Sequence, residues 1–185
     1  MTTPRISYAH LLAKPNPKHI DSLLRFFEEG RSKRGTGGFG VEIEHLPVHN
    51  GDDTAVSYYE ENGVETLLKR IAPYYDKEKE YWENGHLVGL GREGIAVSLE
   101  PGGQVECSLG ILKTPQELLT LYRSFRRDID PVLDELGFRL VNYGYQPKSG
   151  FADVKVNPKD RYDAMTRYLG RVGQFGPCMM RCSAS

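Results

Sequence analysis

Val97-Ser-Leu-Glu-Pro-Gly-Gly-Gln-Val-Glu-Cys-Ser-Leu109 reads as a strand, a tight turn and a second strand. Side chains alternate across a strand with a period of two. Ile95, Val97 and Leu99 therefore share one face, and Ser98 and Glu100 take the other. After the turn, Val105, Cys107 and Leu109 share a face, and Gln104, Glu106 and Ser108 share the opposite one. Pro101 fixes φ while Gly102 and Gly103 permit positive φ, so the chain reverses within a few residues.

Phe39-Gly-Val-Glu-Ile-Glu-His-Leu46 repeats the pattern, with Val41 and Ile43 on one face and Glu42 and Glu44 on the other. Two carboxylates two apart on a strand point the same way and repel. A hard divalent cation relieves that repulsion, and Mg²⁺ needs few protein carboxylates because it keeps waters and substrate phosphates. If the two stretches share a sheet, Glu42, Glu44, Glu100 and Glu106 form one acidic floor. Either stretch alone also fits the solvated outer face of an antiparallel sheet. The two together, with Gln104 and Ser108 on the same side, favour a site.

Working outward, the 185 residues suffice for a sizeable core in one domain. A formal net charge of −1 gives no bulk electrostatic argument for a nucleic-acid or membrane partner. No apolar run reaches membrane-span length, and the first residues lack the pattern of a signal peptide. The three cysteines, Cys107, Cys178 and Cys182, lack metal-ligand spacing, and their odd number suits a reducing cytoplasm.

Residues 18–34 carry Ile20, Leu23, Leu24 and Phe27 at helical spacing. The glycines of residues 35–38 then read as a connector, since they precede a strand and open no helix. A second helix on Val64, Leu67, Leu68 and Ile71 is predicted to end at Pro73, and Asn84-Gly85 marks a hairpin. Thr114-Pro-Gln-Glu117 starts a long helix whose apolar stripe runs to Leu136, with a kink expected at Pro131 and an end at Gly137. Residues 138–145 are predicted as a strand, and residues 160–169 as a helix with Arg161 in its first turn. Residues 170–176 read as a loop, and residues 178–185 as a final strand with Met180, Cys182 and Ala184 opposite Met179, Arg181 and Ser183. On such a strand Cys178 and Cys182 would lie too far apart for a disulfide. The predicted class is α+β, an antiparallel sheet with helices on its outer face.

Five motifs in this order resemble glutamate–cysteine ligases of the plant and proteobacterial type, within the carboxylate–amine ligase group. They are Gly40-Val-Glu-Ile-Glu44, Leu99-Glu-Pro-Gly-Gly-Gln-Val-Glu-Cys-Ser108, Tyr145-Gln-Pro147, Pro158-Lys-Asp-Arg-Tyr-Asp-Ala-Met165 and Gly176-Pro-Cys-Met-Met-Arg-Cys-Ser183. The resemblance implies a sheet curled into a funnel like that of glutamine synthetase, incomplete here. It implies a longer ligase domain, about twice this length, of which residues 1–185 are the N-terminal half, the C-terminal half being missing.

The resemblance further implies an ATP-dependent ligase joining the γ-carboxyl of glutamate to the amine of cysteine through a γ-glutamyl phosphate, the first step of glutathione synthesis. ATP is then a co-substrate and Mg²⁺ or Mn²⁺ the cofactor, with glutamate and cysteine as the other partners. Phosphoryl transfer needs positioning and charge neutralisation more than a protein nucleophile. Glu42, Glu44, Glu100 and Glu106 match the family's metal-binding positions. Gln104 and Ser108 fall where substrate is bound, and Arg181 matches an arginine that grips a substrate carboxylate bidentately. Arg161 matches the arginine of an Arg-Tyr motif, in anion binding or in a buried pair. Cys107 lies on the apolar face and is not expected to act as a catalytic thiol. Because the matched half lacks the rest of the site, little ligase activity is expected of it alone. Two other readings stand beside this one: a sister ligase with another amine acceptor, and a non-catalytic remnant that binds a partner.

Overall fold

Six strands form one antiparallel sheet in the order β2-β3-β4-β5-β1-β6. They are β1 (Phe39–His49), β2 (Glu80–Glu83), β3 (His86–Arg92), β4 (Ile95–Leu99), β5 (Val105–Leu112) and β6 (Phe138–Val141). The helices are α1 (Pro17–Ser32), α2 (Val64–Ile71), α3 (Pro115–Leu136), α4 (Asp160–Val172) and α5 (Gly176–Cys182). The structure, a computed structural model, describes residues 16–32 and 37–184. Helix α1 belongs to a first unit ending at Gly38, and the residues from Phe39 onward form a second. In α1 the stripe of Ile20, Leu23, Leu24 and Phe27 is exposed. Of the glycine connector, residues 35 and 36 lie outside the described residues, as do residues 33 and 34 at the end of the first predicted helix.

The sheet follows from the alternation. Ile95, Val97 and Leu99 on β4 and Val105, Cys107 and Leu109 on β5 are buried in one core. α2 and α3 cover that face, adding Leu67, Leu68, Phe125, Ile129 and Leu133 to the core. Each such side chain, fully buried, contributes about 1.5–3 kcal/mol. The hairpins turn where the sequence permits: Asn84 (φ 52°) and Gly85 (φ 81°) join β2 to β3, and Gly94 (φ 75°) joins β3 to β4. Thr114 caps α3, its hydroxyl accepting from the Glu117 amide at 3.2 Å, and Gly137 ends it at φ 78°. The helix continues through Pro131, and Glu117 reaches back to the Lys113 amide at 2.7 Å.

Four expectations are corrected. Residues 178–184 of the expected final strand form none, residue 185 lying outside the described residues: α5 is a helix that begins at Gly176-Pro177, where proline suits the first turn. Arg181 therefore projects from a helix, and Cys178 and Cys182 are four apart on it, both thiols being free. The strand after α3 stops at Val141, and only Tyr145 makes a further bridge, to Ser183. α4 runs on to Val172, into the span read as a loop. Nor do the helices keep to one face. α4 and α5 stand on the acidic side, where Met165, Leu169 and Met179 wall a cleft with Glu44 and Glu100. No described helix is long and apolar enough to cross a membrane.

Candidate active site

Strand register builds the acidic face. Glu44 of β1 is paired with Glu106 of β5, and Glu106 with Ser98 of β4. Two residues along, Glu42 is paired with Ser108, and Ser108 with Ala96. Residues directly opposite share a face, so the carboxylates of two strands meet there. The hydroxyls of Ser98 and Ser108 both donate to Glu106 Oε1, at 3.0 and 2.6 Å, and fix that carboxylate in place. Glu100 follows β4 at the turn. Partial burial holds its carboxyl above the usual carboxylate range, the negative charge of Glu106 adds to this, and Glu44 adds further. Arg161 works the other way, with its guanidinium 3.4 Å from Glu100 Oε1.

The turn between β4 and β5 is gripped from several sides. Lys159 Nζ and the Tyr162 hydroxyl both donate to the Leu99 carbonyl, at 2.8 and 2.5 Å. Asn157 donates its side-chain amide to the Glu100 carbonyl at 2.6 Å and its backbone N–H to the Pro101 carbonyl at 2.9 Å. Arg161 donates to the Tyr162 hydroxyl at 2.7 Å, and the cations of Arg161 and Lys159 lie 4.7 and 5.3 Å from the centre of the Tyr162 ring. Burial, with Arg161 beside it, holds Lys159 below the usual lysine range, and burial pushes the Tyr162 phenol up to about 12. Sequence reasoning named Arg161 but missed Asn157, Lys159 and Tyr162. Their signal is in Asn157-Pro-Lys-Asp-Arg-Tyr162, which as a sequence reads as the start of a helix and as part of a family motif, with a role given to Arg161 alone.

Two clefts open on this face. One, of about 250 Å³, lies between the turn (Glu100, Pro101, Gln104), Glu44 and the methionines of α4 and α5. The other, of about 310 Å³, is walled by Glu42, Ile43, Glu44, Asn142 and Tyr143. Glu44 and Ala184 belong to both.

The structure thus brings Glu42, Glu44, Glu100, Glu106, Ser108 and Arg161 to one side of the sheet. Gln104 is there too but is 2% exposed, and its side-chain amide is engaged with backbone groups. Arg181 stands apart. Its guanidinium stacks on Phe151 at 4.4 Å, and its Nε is buried with no hydrogen-bond partner. Cys107 is fully buried in the core, which pushes its thiol up to about 12 and removes it from chemistry at neutral pH.

Among the described residues, no three His, Cys, Asp or Glu side chains are gathered into a metal cage. The donor set nevertheless suits a hard cation. Beyond the effect of burial, the charges of Glu106 and Glu44 raise the proton affinity of Glu100, and a divalent cation relieves that repulsion.

Residues 38–185 match the sequence signature of the glutamate-cysteine ligase family 2. The chain is 31% identical over 178 residues to the chloroplastic glutamate–cysteine ligase of Nicotiana tabacum, covering 96% of this chain and 33% of that one. It is 35% identical over 164 residues to the Arabidopsis thaliana chloroplastic enzyme, covering 89% and 31%. Against glutamate–cysteine ligase A of Oryza sativa subsp. japonica the identity is 33%, over 89% of this chain and 32% of that one. The chain therefore spans about a third of the length of these relatives, less than the half expected from its motifs. The matched region and the sheet unit begin within one residue of each other, and the chain belongs to the glutamate-cysteine ligase family.

Proposed function

We propose that this chain supplies the metal- and glutamate-binding part of a glutamate–cysteine ligase site, in a reaction that passes through γ-glutamyl phosphate to γ-glutamylcysteine. The pairing of Glu44 with Glu106 across two strands, beside Glu100 and its Arg161 partner, carries the reading. Glu42, Glu44, Glu100 and Glu106 would hold Mg²⁺ or Mn²⁺, which when bound neutralises phosphate charge and polarises the groups in transfer. Ser98 and Ser108 keep the Glu106 carboxylate oriented toward the acidic face. Arg161, set over Tyr162, offers a fixed guanidinium to an anionic substrate group. Lys159 adds a second positive charge beside it, and the two cations would favour phosphate or carboxylate oxygens near the carboxylates that would hold the metal. The family resemblance gives Arg181 to a substrate carboxylate, for which its guanidinium would leave Phe151; Ser108 serves through Glu106, and Gln104 borders the cleft with its amide spent on backbone groups.

The 185 residues span about a third of the relatives' length, and on this reading they bind ligands and turn over little. The test is calorimetric titration of L-glutamate into the protein with Mg²⁺ and a non-hydrolysable ATP analogue, alongside an assay for ADP release with ATP and a panel of amine acceptors. Glutamate binding that needs the metal, with little ADP release, is expected. Absence of metal-dependent glutamate binding would favour a non-catalytic remnant, and turnover with an amine other than cysteine would favour a sister ligase.

A further inference from the structure

Gln104 joins two elements that the sequence places far apart. Its side-chain oxygen accepts from the Gly102 amide at 2.7 Å, on the turn that carries Glu100. Its side-chain nitrogen donates to the Ser183 carbonyl at 2.6 Å and lies 3.4 Å from the Met180 carbonyl, at the C-terminal end of α5. The last carbonyls of a helix have no partner within the helix, so this amide serves α5 as a cap supplied from another element. A second contact locks the same joint: a Cβ on Gly102 would sit 2.0 Å from the Arg181 carbonyl oxygen. Only glycine lets the turn approach α5 so closely. The joint is dry, with Gln104 2% and Cys182 0% exposed.

We propose that Gln104 is a positioning residue, which caps α5 from the Glu100 turn and so holds the α5 wall of the cleft, and the helix that bears Arg181, against the acidic face. This rests on the ligase reading for its consequence, though the joint itself does not. Losing the amide leaves buried carbonyls unpartnered, which favours withdrawal of α5 while the strands stay paired.

The three free cysteines permit a test on the chain itself. Cys182 lies in the joint, and Cys107 lies in the main core and reports global opening. Gln104→Met removes both polar ends at similar volume, Gln104→Glu keeps the acceptor and removes the donor, and Gly102→Ala forces the turn off α5. Maleimide labelling, mapped by mass spectrometry, should rise about tenfold at Cys182 in all three while Cys107 stays at its original rate. Calorimetry should show glutamate binding weakened about tenfold in both Gln104 variants, with Mn²⁺ affinity kept within about threefold. Labelling of Cys182 that does not change, or that rises only in step with Cys107, overturns the proposal. Faster Cys182 labelling with unaltered glutamate affinity overturns the positioning role. A parent protein that binds no glutamate refutes the ligase reading, and the labelling contrast then decides the joint alone.

Discussion

Glu44 and Glu106 stand directly opposite one another on β1 and β5, two acidic side chains on one face of adjacent antiparallel strands. Like charges so placed oppose the fold by up to about 1 kcal/mol, and a sheet built only for stability would avoid them. Glu106→Gln removes one charge and keeps an acceptor for the Ser98 and Ser108 hydroxyls. Without divalent cations the variant should melt up to a few degrees higher than the parent, about what 1 kcal/mol gives at this size. Scanning calorimetry in the presence of EDTA checks this, and a lower melting temperature would mean that the pair is not repulsive.

The pH response follows from Glu100. Its carboxyl is held above the ordinary value of 4.5 by burial and by Glu106. The folded state therefore binds the proton more tightly than the unfolded chain. The contribution is favourable below about pH 4.5 and is lost as pH rises through the raised folded value. Glu100→Gln removes that loss, so parent and variant should converge in stability at low pH and the variant should gain on the parent as neutrality is approached. Urea unfolding at several pH values measures it. Mn²⁺ competes with the same proton, so its affinity for the parent should fall as pH is lowered through this range.

Away from the site, Arg92 and Asp128 fasten the far end of the core. Their atoms approach to 2.6 Å, Asp128 is buried, and the Arg92 guanidinium lies 5.0 Å from the centre of the Tyr75 ring. Removing Arg92 leaves the buried Asp128 carboxylate with the more distant and exposed Arg127, at 3.8 Å. Arg92→Ala should cost about 3 kcal/mol, while metal binding by the fraction that remains folded is unchanged. Denaturant unfolding and Mn²⁺ titration of the same sample separate the two effects.

Helix α3 depends on its first turn. Thr114→Ala removes the acceptor for the Glu117 amide and should destabilise the protein by about 1 kcal/mol. Thr114→Ser keeps the hydroxyl and should stay close to the parent in the same unfolding curve.

The strands, the α3 cap and the acidic floor were legible because each depends on local chemistry. Alternation alone placed Val97, Leu99, Val105 and Cys107 inward and Glu106 and Ser108 outward. The C-terminal segment was misread because eight residues with Met180 and Cys182 two apart imitate a strand. α5 buries both of them, being enclosed on more than one side, and its carbonyls find partners in Gln104 and in the backbone N–H of Gln146. No local pattern announces a cap that comes from 76 residues earlier in the chain. The grip of Lys159 and Tyr162 on the Leu99 carbonyl was hidden for the same reason, since a side chain's bond to a distant backbone oxygen has no sequence period.

The most direct test of the acidic face as a ligand site is a Mn²⁺ titration followed by electron paramagnetic resonance, run on the parent and on Glu106→Gln with and without L-glutamate. Saturable Mn²⁺ binding to the parent is expected, with a spectrum that changes when glutamate is added and affinity about tenfold weaker in the variant. Binding of equal strength in both proteins, or a spectrum indifferent to glutamate, would contradict a ligand site on the acidic face.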